Sequence, residues 1–401
     1  MPLNLAALSQ QLTELGQHAR ALGPAEEAAL DLALKALRAN AADYDRLGKI
    51  AQQRDRAPFR AALPLGPLDL RGALPTLPAD HTIIATDGSQ IEPDRHGPVL
   101  CHLINLGSAL IRYGRQPSAS LVSKPLLRFR REELYLEPNS RHPMLIQERV
   151  LGLQRAVAET TRLADLAEAE VGEEGEGRVV LGLQDGTLLL SSWGQGSESR
   201  ALDVLINEFL AGLSRLRRLG VPLASYVSRP RSSDVVNLLR LAICPWPDET
   251  CDEHCRGKSP LETECAVLAE VPDRAVFAAL PLALGERGAI FRSSWSTSLA
   301  KYGEHEIHFF YLNVGDEIAR VEVPEWVADD VDLLNLVHAA VVCQSRLGQG
   351  YPRALIEAHE QAVVTASDRR GYEALVSLAL QSAGLRPTAS EKELSKRIRS
   401  F

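Results

Sequence analysis

Ile83-Ile84-Ala85-Thr86-Asp87-Gly88-Ser89 is a short β-prone run that delivers a carboxylate at its end and follows it with a glycine, where the chain can turn or approach a ligand closely. The same design returns at Val179-Val180-Leu181-Gly182-Leu183-Gln184-Asp185-Gly186-Thr187. Two strand-end aspartates in one domain suggest a shared metal site. Asp-Gly between extended runs is also the commonest hairpin signal, so the order of elements between the two copies has to decide.

After Asp87, two runs with β character, 99–112 and 121–136, are separated by Gly114 and Pro117 and read as a meander. The period turns helical over 144–170, with Leu145, Val150, Leu153, Val157 and Leu163 as the apolar members. A glycine and glutamate linker, 172–177, leads to the Asp185 strand. A helix over 201–219, a strand over 221–227 and a short helix over 234–241 follow. Three strands, helix, strand, helix, strand, helix predict an α/β fold with a ribonuclease H-like mixed β-sheet flanked by helices. That arrangement carries acids on its first strand, on its first helix and at the end of its fourth strand. Asp87 and Asp185 occupy the first and third places. A crossover helix runs antiparallel to the strand it feeds, so its first turns lie where both strands end. Glu148 is therefore the first choice for the third acid, with Glu159 and Glu168 progressively further away.

Outside this core, Leu5, Leu8, Leu12 and Leu15 recur at helical spacing, Gly23-Pro24 interrupts, and Leu30, Leu34, Leu37, Ala41 and Tyr44 continue the stripe. The expectation is an N-terminal helical hairpin over 1–57, a proline-rich connector over 58–80, a core domain over 81–370, and C-terminal helices over 371–401, near 372–383 and 390–398. Within the core, 307–323 reads as a hairpin about Gly315-Asp316. A helix over 353–365 contains Glu357-Ala358-His359-Glu360, where an acid on either side of His359 comes within reach of a cation. An irregular insertion over 244–285 holds Cys244, Cys251, Cys255 and Cys265. Their spacing, C-x6-C-x3-C-x9-C, is neither a zinc-ribbon pair of knuckles nor a ferredoxin run, so a structural Zn2+ or iron-sulfur site stands against unliganded thiols.

The 401 residues are 45% hydrophobic and 24% charged, ordinary globular material, and six cysteines do not make a secreted disulfide framework. Met1-Pro2-Leu3-Asn4-Leu5 has no basic region followed by an apolar run, and no apolar run is long enough for a membrane span, which predicts a cytoplasmic protein with no membrane partner. A net charge of -8 excludes a molecule-wide basic field, so nucleic-acid contact has to come from local patches. The candidates are Arg128-Phe129-Arg130-Arg131, Arg215 with Arg217 and Arg218, Arg229-Pro230-Arg231, and Lys396-Arg397-Ile398-Arg399. Gly257-Lys258-Ser259 lacks the earlier glycine of a P-loop, so any ATP dependence must come from a partner.

Taken together, several stretches resemble the NurA-domain nucleases: Asp87-Gly88-Ser89; Leu183 to Leu188; Ser228-Arg229-Pro230-Arg231-Ser232-Ser233-Asp234-Val235-Val236-Asn237; Phe309-Phe310-Tyr311-Leu312-Asn313-Val314; Arg320 to Trp326; and Gly350-Tyr351-Pro352 through His359-Glu360. The resemblance implies a manganese-dependent DNA nuclease, with magnesium as substitute ion. It also implies a homodimer with 5′–3′ exonuclease and single-strand endonuclease action, working in DNA-end resection and double-strand break repair beside the HerA hexameric ATPase. It places Asp87, Asp185, Tyr351 and His359 on active-site positions and a glutamate on the helix before Asp185. In that chemistry Asp87, Glu148 and Asp185 would supply oxygen ligands and His359 a nitrogen, Tyr351 would orient a phosphate or water, and Arg229 and Arg231 would hold the DNA backbone. Two rivals remain: a catalytically silent DNA-binding or scaffold subunit, and a ribonuclease or structure-specific nuclease on the same sheet.

Overall fold

The computed structural model describes residues 4–53, 58–141, 143–173, 177–190, 197–246, 254–295 and 298–385, in two compact units. One unit is built from 75–226, 300–305 and the chain from 322 onward; the other from 1–74, 227–299 and 306–321.

The first unit holds the sheet that the aspartate strands predict. Strands β1 (His81–Ile91), β2 (His102–Tyr113) and β3 (Ser118–Arg128) form an antiparallel meander. Helix α1 (Glu148–Glu173) crosses to β4 (Val179–Asp185), parallel to β1, and helix α2 (Ser197–Leu219) crosses to β5 (Leu223–Val227), parallel to β4. The resulting order, β5-β4-β1-β2-β3, is the ribonuclease H-like one. Its core is the near-continuous apolar run expected of strands covered on both faces: Ile83, Ile84, Ala85, Leu181, Leu183, Leu223 and Ala224 are all buried. The C-terminal part supplies α3 (Val331–Leu347), α4 (Arg353–Ala362) and α5 (Ala366–Ser382). The helix expected over 390–398 lies outside the described residues, as do Lys396 to Arg399.

One expectation about β1 fails in a way that matters. Asp87-Gly88 does not end the strand: the ladder to β2 runs unbroken for four more residues, to Ile91 opposite Leu103. What ends near Asp87 is the parallel partner. The last pair between β1 and β4 is Thr86↔Gln184, and β4 stops at Asp185. Asp87 and Asp185 are thus each one residue beyond the last pair of the same parallel ladder, on neighbouring strands.

In the second unit, the residues expected to form a hairpin make one helix, Leu5–Ala39, with Pro24 inside it, followed by Tyr44–Gln53. A proline removes one donor and crowds the preceding turn, at a cost of about 3 kcal/mol, but the Ala, Leu, Glu and Gln residues on both sides are strong helix formers and carry the helix through. Its C-terminal half contributes Ala33, Leu34 and Leu37 to a core with Leu47, Leu68, Val235, Leu239, Phe277, Phe291 and Phe309. The hairpin about Gly315 is present, with strands Ile307–Asn313 and Ile318–Pro324 around a turn closed by Val314 N–H to Glu317 O.

Residues 260–265 of the cysteine insertion gather on an arginine. Arg240, 1% exposed, donates to the carbonyls of Cys265 and Pro260 and to Thr263 Oγ1, and its guanidinium lies 3.8 Å from the centre of the Phe59 ring. Cys255 and Cys265 are buried and Cys244 half-buried, while Cys251 lies outside the described residues. Among the described residues no three His, Cys, Asp or Glu side chains stand together as a metal-ligand group.

Candidate active site

Asp87 and Asp185 reach the site from the strands; the other members arrive on helices fixed to the sheet by polar ties. At the far end of α1, Glu170 accepts from Thr82 Oγ1 (2.8 Å) and from Arg112. Midway, Thr160 and Gln184 bond to each other (2.9 Å), and Thr86 Oγ1 donates to Glu159 O (3.1 Å). These ties set the axial register of α1, and they decide which glutamate faces the aspartates.

That glutamate is Glu159, which corrects the choice of Glu148. Glu148 opens the helix in the exposed turn beyond Ile91, with its N–H on Glu92 Oε2 (2.9 Å) and its φ at 48°. At 1.5 Å per residue it lies about 16 Å along the helix from Glu159. The geometric premise failed because β1 runs on past Asp87, so the first turns of α1 meet the end of the strand and not the aspartate. Glu168 is also set aside: exposed, it pairs with Arg215 (2.7 Å), which holds its carboxyl below the ordinary range.

Glu159 is buried, and its Oε1 lies where Gly88 has no side chain; a Cβ on Gly88 would come within 2.6 Å of it. Arg155 Nη1 donates to both Glu159 Oε1 (3.0 Å) and Gly88 O (2.7 Å). Burial pushes the Glu159 carboxyl up to about 8; the Arg155 charge opposes this, and the charges of Asp87 and Asp185 add to it. The charges of both aspartates thus reach the buried Glu159 carboxyl.

His359 is brought in by α4, which lies against β2 with no side chain between. A Cβ at Gly107, the partner of Asp87 across the ladder, would fall 2.0 Å from Ala358 O. The helix is fastened at both ends: Gln344 Oε1 accepts from Ala354 N–H (2.9 Å), and the carbonyl of Ala362 accepts from Asn105 Nδ2 (3.0 Å) and Ser89 Oγ. His359 Nδ1 then meets Asp87 Oδ2 at 2.7 Å, with the imidazole 63% exposed and the carboxylate 16%. Tyr351, just before α4, donates to Asp185 Oδ1 (2.6 Å) and packs edge-on against Tyr226 at 5.2 Å. Burial and that bond to a carboxylate raise the Tyr351 hydroxyl well above its ordinary range, so it keeps its proton. The turn after Asp185 is held by Glu322, whose Oε2 accepts from Thr187 Oγ1 (2.8 Å) and Leu188 N–H (2.9 Å).

The structure thus brings Asp87 to His359 and Asp185 to Tyr351, with Glu159 beside them and Glu148 elsewhere. Arg229 and Arg231 belong to the other unit. By type, three carboxylates and an imidazole suit a hard divalent cation with some affinity for nitrogen, although as they stand the four are not gathered into a metal-ligand group. In the structure each acid is turned to a protein partner, Asp87 to His359, Asp185 to Tyr351 and Glu159 to Arg155. Glu159 was foreshadowed in the sequence by its place on the buried stripe of α1 with Leu163, Ala164 and Ala167; a glutamate interrupting an apolar face needs a partner, whereas Glu168 sits on the polar one.

The NurA domain family matches residues 81–364, the greater part of the chain. No curated protein matches it. The solved structures similar to it include LC9-RNase H1, described as a type 1 RNase H with the type 2 active-site motif, at 10% identity over 41% of this chain and 70% of that one, TM-score 0.22; and Thermus thermophilus RuvC, at 12% identity over 49% and 95%, TM-score 0.16. The ribonuclease H-like assignment rests on the strand order, not on these distant likenesses.

Proposed function

Because this chain belongs to the NurA family of nucleases, we propose that it hydrolyses phosphodiester bonds of DNA with divalent metal ions held by Asp87, Asp185 and Glu159, His359 standing beside them. The observation that carries this is the crowding of charge: Asp87 and Asp185 end one parallel ladder side by side, and their charges help to keep a proton on the buried Glu159. A bound cation would remove that repulsion. When bound, such ions activate a water and neutralise the charge that builds on the phosphate.

The remaining roles belong to the chain's own atoms. Tyr351 keeps its proton and donates to Asp185, so it orients that carboxylate and does not bind metal as a phenolate. His359, with Nδ1 donating to Asp87, presents Nε2 with its lone pair outward in its neutral form. Arg155 holds Glu159 against Gly88 and balances part of the negative charge. Nothing in the set reads a base, so cleavage is without sequence preference.

On the family resemblance we extend the proposal to manganese as the working ion with magnesium as substitute, to 5′–3′ exonuclease and single-strand endonuclease action, and to a homodimer acting in DNA-end resection beside a HerA-type ATPase at the nucleoid. No helix among the described residues is long and apolar enough to cross a membrane. The test is degradation of linear DNA labelled at either end, with manganese, magnesium or EDTA and without ATP. Cleavage that needs a divalent ion and disappears in Asp87→Ala is expected, and the label gives the polarity. An Asp87→Ala protein that stays folded and digests DNA as fast as wild type would falsify the assignment.

A further inference from the structure

The basic runs of this acidic chain fall into two groups. In one group single members are neutralised locally: Arg128 pairs with Glu133, Arg215 with Asp165 and Glu168, and Arg217 with Glu304. Arg229, Arg231 and Arg274 are set apart by a shared cavity. They line one cavity of about 440 Å3 within the second unit, all three are exposed, and none has an ion pair among the described residues.

Two acids, Asp316 and Glu317, line the same cavity. Glu317 is committed to the backbone, since its Oε2 accepts from Ser228 Oγ and from Arg229 N–H, both at 2.9 Å. These bonds hold Arg229 at φ 43°, in the left-handed region that a non-glycine residue adopts only at a cost. Pro230, buried, fixes the next step of the turn. Glu317 thus shapes the turn that carries Arg229 and Arg231, while Arg274 comes from a separate helix, Asp273–Ala279. Three guanidinium groups from two elements face a space wider than one inorganic anion needs.

We propose that Arg229, Arg231 and Arg274 form a phosphodiester-binding pocket that grips the backbone of a DNA strand away from the reacting bond. The proposal rests on the nuclease reading for its choice of ligand. Guanidinium forks match pairs of phosphate oxygens and desolvate readily, which is the chemistry a backbone contact requires. Such a contact carries no sequence information and adds affinity that falls with salt.

The experiment is fluorescence anisotropy of a labelled single-stranded oligodeoxynucleotide in EDTA, so that binding is read without cleavage. It compares wild type, Arg231→Ala, Arg274→Ala, the double variant, and Arg46→Ala, which removes an exposed arginine paired with Asp43. The double variant is expected to bind roughly 30-fold more weakly at about 0.1 M salt, and its plot of log affinity against log salt to flatten by about 0.7 per lost contact. Arg46→Ala should bind as wild type does. A double variant that binds like Arg46→Ala overturns the pocket. So does one that loses only the ability of inorganic pyrophosphate to compete while holding DNA normally, which would make this a small-anion site. If the nuclease reading alone fails, cleavage is absent with every metal while the arginine dependence in EDTA persists.

Discussion

Each unit buries a carboxyl that burial pushes upward, Glu159 in the sheet unit and Asp273 in the other, and their surroundings differ. Asp273, fully buried, accepts from Val235 N–H (3.1 Å), Val236 N–H (2.7 Å) and Tyr311 Oη–H (2.7 Å). Its neighbour Asp234 is paired with Arg320 (2.7 Å), whose guanidinium lies 3.6 Å from the centre of the Phe309 ring. Glu159 has one donor among the described residues, Arg155, and faces two more acids. A buried acid whose lone pairs are met by fixed donors is an anchor, and removing it breaks the structure around it. A buried acid with one donor and repelling neighbours is where, on the proposed function, a cation would bring relief. The two look alike in sequence and differ in what satisfies them.

The comparison breaks first if the aspartates do not matter to chemistry. Asp87→Ala should cut DNA cleavage by about a thousandfold or more while leaving the melting temperature within a few degrees of wild type. Asp273→Ala should do the reverse. It strands two backbone N–H groups and a hydroxyl in the core, and chemical denaturation should show a loss of about 3 kcal/mol, with the rate per folded molecule unchanged. Were its cleavage lost at full stability, the anchor reading would be wrong.

Glu159→Gln sharpens the contrast through pH. Below about pH 4.5 the Glu159 carboxyl is protonated in both folded and unfolded chain. From there to about 8 only the unfolded chain gives up the proton, so this group's contribution to stability falls as pH rises. The glutamine variant escapes that loss. In EDTA its melting temperature should draw ahead of wild type across this window, by about 2–4 °C at pH 9, and manganese should close the gap by stabilising wild type alone. A gap that does not depend on pH would count against stored charge. The smallest expected effect belongs to Tyr351→Phe, which removes the donor to Asp185 and leaves the ring: about a tenfold slower rate with unchanged stability.

The strand order and both aspartates were legible because they follow from local pattern: apolar runs, a period that switches from two to 3.6, and Asp-Gly at corresponding places. His359 was legible as a histidine between acids on a short helix. The third acid was not, since three glutamates on α1 fit the pattern, and the choice turned on how far β1 runs past Asp87, which only its pairing with β2 reveals. The N-terminal hairpin misread Pro24 as a stop, where flanking propensity overrode a single residue. Arg274 was missed because nothing in sequence ties it to Arg229; the link is a cavity, and cavities have no periodicity.

Gly107 sets a dimension. With α4 resting directly on the backbone of β2, the gap between His359 and Asp87 is fixed by the thickness of two main chains and not by the packing of side chains. Ordinary core substitutions, which act by swelling or shrinking side-chain layers, have little purchase on it. A methyl group at 107 would act as a shim and lift the imidazole off its carboxylate, and larger residues would lift it further, so this one position offers a mechanical dial on the site.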